Sequence, residues 1–110
     1  MTLAIGTVVQ ATLPTTIGRF WEPKARSLVV TGSHNGVPLA VPTTCGKARR
    51  VHLEPNPENG LWGPVELITN IRFSLTDPNR FEVLGHLTAG ELIALRKTLR
   101  GLTVAQTWDL

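Results

Sequence analysis

A chain of 110 residues is near the common size of one domain and leaves little room for two independent cores. Its 42% hydrophobic content is too high for a disordered chain and enough to bury a core without staples. A formal charge of +3 and a pI of about 9.8 favour an anionic partner such as RNA or an acidic peptide without demanding one.

Ile5, Val9, Ala11 and Leu13 fall on alternate positions, the period of a half-buried strand, and Pro14 ends it. Thr15 to Ala25 mixes glycine, aromatic and charged residues and reads as a long hairpin loop. Leu28-Val29-Val30-Thr31 is a short β-branched run, expected as a central strand. Gly32 to Gly36 is dense in turn residues and predicts a tight connection. Val37 to Val41 is a second apolar run, with Pro38 suited to a strand start or a sheet edge. Lys47 to Leu53 suggests a further strand, and Glu54 to Gly60 a loop. Val65, Leu67, Ile71 and Phe73 alternate with polar residues and predict one strand. Thr76 to Asn79 is a turn, and Phe81 and Val83 mark a short strand ending near Gly85.

The helix signal is the sharpest. Thr88 followed three residues later by Glu91 is a capping box, and Leu92, Leu95, Leu99 and Leu102 form one apolar stripe. Arg96, Lys97 and Arg100 sit where cations favour the helix dipole, and Gly101 fits the stop position. The predicted span is Ala89 to Arg100. Several short strands followed by one helix indicate a single-domain, mainly β, barrel-like α+β fold over residues 1–110.

Cys45 is the only cysteine, so neither an intramolecular disulfide nor a Cys-based zinc cluster can form within one chain, which suits a reducing compartment. The N-terminal residues lack a signal-peptide pattern, and no apolar run reaches the ~18 residues of a membrane helix. The expectation is a soluble cytoplasmic protein. His34, His52 and His86 lack metal-ligand spacing and read as surface or hydrogen-bonding residues; no cofactor is expected. No Walker or dinucleotide glycine loop occurs.

Three segments, in order, resemble the MazF/PemK family of ribonuclease toxins. The first is Leu13-Pro14 through Val30, with Gly18, Glu22, Lys24 and Arg26 ahead of Leu28-Val29-Val30. The second is Ala40-Val41-Pro42-Thr43-Thr44, similar to an apolar strand ending in Pro-x-Thr. The third joins Leu67 to Arg72, Leu75-Thr76-Asp77-Pro78, and Gly85-His86-Leu87-Thr88 leading into Glu91-Leu92. Ser27 stands where the family usually has proline after the arginine, Glu22 sits a residue closer to Arg26 than is common, and Thr69-Asn70 replaces a frequent Asp-Gln pair.

The resemblance implies an SH3-like small barrel of strongly bent antiparallel strands with a C-terminal α-helix, assembled as a homodimer. It implies metal-independent cleavage of single-stranded RNA and neutralisation by a cognate antitoxin protein. Carried over residue by residue, it makes Arg26 and Thr44 catalytic. Arg26 would hold a phosphate electrostatically, because a guanidinium is permanently charged and forks onto phosphate oxygens. Thr44 would offer its hydroxyl to a phosphate oxygen. Phe20 and Trp21 are placed to stack unpaired bases. Arg19, Lys24, Lys47, Arg49 and Arg50 are placed to track the phosphate chain, and Glu22, Asn70 and Arg72 complete the expected RNA-binding set.

Each residue has a plainer reading. Arg26 can pair with Glu22, Thr44 can cap a strand end, the loop aromatics can anchor a core or a dimer contact, and Trp62 and Trp108 can be packing or interface residues. Two other functions remain open on the same fold. CcdB-type toxins poison DNA gyrase through a C-terminal tryptophan; here the ending is Trp108-Asp109-Leu110 rather than Trp-Gly-Ile. A catalytically inactive member of the fold is the third reading.

Overall fold

The computed structural model describes residues 3–13, 24–44, 51–69, 71–100 and 106–110. A strongly curled half-barrel sheet carries one helix. The strands are β1 (Thr7–Leu13), β2 (Lys24–His34), β3 (Val37–Thr44), β4 (His52–Leu53), β5 (Val65–Leu67), β6 (Ile71–Ser74), β7 (Phe81–His86) and β8 (Gln106–Asp109); the helix is α1 (Ala89–Leu99). The main path runs β4-β5-β3-β2-β1-β7, and β6 joins β3 to β8.

Strand β1 is covered on both faces. Val9 and Ala11 pack with Leu28, Val30, Ala40, Phe73 and Leu110 on one side. Val8 packs with Val29, Val41, Leu67 and Leu95 on the other. The half-buried pattern expected there is replaced by a two-sided core, because α1 and the segment 51–61 roof the second face. Leu95 is fully buried in that roof, with Leu92 and Leu99 packed beside it. The stripe expected at Leu102, and the stop at Gly101, lie outside the described residues.

Strand β2 is much longer than the run Leu28–Thr31 suggested. Gly32, Ser33 and His34 belong to it, paired with Leu39, Pro38 and Val37. The turn is only Asn35-Gly36, at φ 51° and 80°, the positive-φ pair that closes a two-residue hairpin. Thr31 is the extra residue of a bulge, since Val30 faces Ala40 and Gly32 faces Leu39. Strand β3 is central, yet carries Pro38 and Pro42. Their carbonyls still accept, from Leu75 N and Ile68 N at 2.9 Å each.

The single strand expected from Val65 to Phe73 is two strands. Leu67 faces Thr43 and Phe73 faces Ala40, so six steps on one side match three on β3. The pairing breaks between β5 and β6, and Ile68 and Ile71, on either side of the break, both enter the first core cluster. The turn expected at Thr76–Asn79 is a 3₁₀ turn, Pro78–Arg80, whose Asp77 side chain accepts from Asn79 N. The helix is not the last element. β8 follows it and pairs parallel with β6, so the sheet is not wholly antiparallel. Leu110 is buried, and Leu110 N donates to Ser74 O at 2.9 Å. Among the described residues no helix is long and apolar enough to cross a membrane.

Candidate RNA-binding cavity

Arg26 lies on β2 opposite Ala11, and Thr44 ends β3 opposite Glu66 of β5. Leu28 faces Pro42, and one step further along the hairpin Ser27 meets Thr43, with their hydroxyls 2.7 Å apart; Arg26 and Thr44 are the next residues on their strands. Arg26 and Thr44 both line a cavity of about 380 Å³ at this end of the sheet, with Gln10, Ser27, Thr43, Leu61 and Trp62 among the other walls. Arg26 Nη1 sits 3.5 Å from the carbonyl of Thr43, the residue before Thr44. Both residues are half-buried on paired strands, which fixes their backbones.

Two hydroxyls of the cavity, those of Thr43 and Ser27, have assigned directions. Thr43 Oγ1 donates to Ser27 O at 3.0 Å, which uses its single proton. In the 2.7 Å contact with Thr43 Oγ1, Ser27 Oγ is therefore the donor and keeps acceptor capacity.

Trp62 lines the cavity and is 87% exposed, which excludes the core-packing half of its expected role and leaves the interface half open. The loop that carries it is tightly held. Asn59 is fully buried and accepts from Asn56 N and Leu61 N at 3.1 and 3.0 Å. Its carboxamide donates to Glu54 O at 2.9 Å and to Glu91 Oε2 at 3.1 Å. Glu91 is also the capping-box residue of α1; its Oε1 accepts from Thr88 N at 2.9 Å and from Asn56 Nδ2 at 3.2 Å. Burial works against the Glu91 charge, but the bonds from Thr88, Asn56 and Asn59 outweigh it and hold the carboxyl below its ordinary 4.5. Gly60 adopts φ +67°, and a Cβ there would lie 2.4 Å from Leu84 O, so the loop approaches β7 as only glycine permits.

A second row of polar groups crosses the strands beside Thr44. Glu66 faces Thr44 on one side and His52 on the other. His52 Nε2 lies 2.6 Å from Glu54 Oε1, and Nδ1 lies 3.8 Å from Glu66 Oε1. The hydrogen bond with Glu54, supported by the charges of Glu54 and Glu66, raises the imidazole above its ordinary 6.5. This is the hydrogen-bonding role expected of the histidines. Among the described residues no three His, Cys, Asp or Glu side chains gather as a metal site.

The remaining expected residues divide simply. Arg72 lies on β6 and donates from Nε to Thr107 Oγ1 at 2.9 Å, away from the residues that line the cavity. Lys24 opens β2 opposite Leu13. Arg19, Phe20, Trp21, Glu22, Lys47, Arg49, Arg50 and Asn70 lie outside the described residues, as does Cys45. Set against known proteins, the chain matches no family model and no curated protein.

Proposed function

We propose that the protein is an endoribonuclease of the toxin type that cleaves single-stranded RNA without a metal. The observation that carries this reading is the meeting of Arg26 and Thr44 in one cavity, from adjacent strands, with an arginine nitrogen at the backbone just before Thr44. An RNA strand brings its own nucleophile. The 2′-oxygen bonds to the neighbouring phosphorus, the bond from phosphorus to the 5′-oxygen breaks, and a cyclic phosphate and a 5′-hydroxyl result. The 2′-hydroxyl loses its proton to solvent and the departing 5′-oxygen gains one.

Arg26 meets the charge that grows on the non-bridging oxygens, a task suited to a group that stays protonated. The Thr44 hydroxyl donates to one of those oxygens and helps hold the phosphate in line. The net positive charge draws the strand in, and salt weakens it. By the same resemblance the protein works in the cytoplasm as a homodimer and is neutralised by an antitoxin protein. The gyrase-poison reading finds less support, because Trp108 belongs to a strand paired along β6 rather than to a free tail.

The test is direct. Single-stranded RNA incubated with the protein in EDTA is cut to products ending in cyclic phosphate and 5′-hydroxyl. Arg26→Ala lowers the rate by about 10²–10³. Intact RNA after incubation with folded wild-type protein would end the proposal.

A further inference from the structure

The cavity offers more than a phosphate site. It is lined by an indole that is 87% exposed, and Leu61 and Pro64 also line it. An indole, with an apolar face and a polar N–H edge, is suited to a contact surface, and this one opens onto a cavity. The loop leading to it is held, since Asn59, bonded to Leu61 N and Glu91, and Gly60, close against β7, tie the two residues just before Leu61 and Trp62. The same cavity is lined by Ser27, whose Oγ has acceptor capacity, by Gln10, whose carboxamide offers both a donor and an acceptor, and by Arg26. A flat apolar plate, two hydrogen-bonding side chains and an arginine around one cavity complement one class of ligand. That ligand is a planar heteroaromatic ring with polar edges, joined to an anion.

We propose that Trp62 is the stacking platform for one unpaired nucleobase beside the scissile phosphate, with the base edge turned toward Ser27 and Gln10. This rests on the nuclease reading for the identity of the strand, and it adds a residue and a subsite to it. A volume of about 380 Å³ falls in the range of small-ligand pockets and so admits a single base rather than a paired one. The platform therefore supplies a preference for unpaired strands, because a base held in a duplex already has stacking partners on both faces.

The experiment uses short 2′-O-methyl RNA strands, which bind without being cut, and matching strands that lack every base. Affinities are measured for the wild type, Trp62→Ala and Trp62→Phe. Trp62→Ala should weaken binding of the base-carrying strands by about 5- to 150-fold and leave the fully abasic strand unchanged. Trp62→Phe, which keeps a ring, should recover most of the loss. Equal losses on both kinds of strand, or no loss on either, would overturn the platform. So would a Trp62→Ala protein that only loses self-association in sedimentation, since the indole would then be a contact between copies. The two readings separate cleanly. Trp62-dependent binding without cleavage of the ribose strand removes the nuclease and keeps the platform. Cleavage with binding independent of Trp62 does the reverse.

Discussion

Replacing Asn59 by alanine tests the loop that shapes the cavity. The side chain makes four hydrogen bonds, to Asn56 N, Leu61 N, Glu54 O and Glu91 Oε2. Three are neutral and worth about 1 kcal/mol each; the one to the carboxylate is worth about 2. Glu91 is only half-buried, so water replaces its lost partner and most of that contribution returns. The expected loss is then about 3 kcal/mol, or a Tm lower by roughly 15 °C for a chain of this size. Urea unfolding should show a lower midpoint with an unchanged slope, because the same surface is exposed on unfolding. Asn59→Asp should cost at least as much near neutral pH. It keeps the acceptor facing Leu61 N but sets an oxygen against Glu54 O and a second charge against Glu91. A loss below about 1 kcal/mol for Asn59→Ala would refute the argument that this residue fixes the loop, since even one neutral bond is worth that much.

The Glu91 carboxyl, held below 4.5 in the folded chain, stabilises the fold above that pH and ceases to as pH falls through the lower folded value. Unfolding free energy measured against pH should therefore fall on acidification below about 4.5 for the wild type and less steeply for Glu91→Gln; parallel curves would contradict the assignment. Gly85→Ala should destabilise by about 2 kcal/mol or more, because the new Cβ would lie 2.2 Å from Glu58 O and 2.8 Å from Asn59 C, neither of which is a flexible side chain. Thermal melting reads that cost, and an unchanged Tm would show that the loop yields freely.

The amino-acid sequence reveals what is local. The capping box at Thr88 and Glu91 forms as expected because each partner sits within one helical turn of the other. The cooperation of Glu91 with Asn56 and Asn59 was not legible, since those residues are more than thirty positions away. Alternation predicted one strand through Thr69, but apolar residues alternate in β5 and in β6 alike, so the break in pairing between them leaves no mark in the pattern. The run Gly32 to His34 was read as a turn by composition, yet pairing with β3 outweighed that preference. The closeness of Arg26 and Thr44 follows from hairpin register, which a long strand and one bulge had to set first. Trp62 was legible only as an aromatic; its exposure depends on how the loop below it is tied.

The first strand lies between the second and the seventh, and the last is laid beside the sixth. Leu110 completes a cluster that begins with residues near Val9. That cluster therefore joins both ends of the described chain, and contacts between such distant stretches slow folding compared with a helical bundle. Removing residues 106–110 would strip the edge strand from β6 and one wall from the core that the first strand enters.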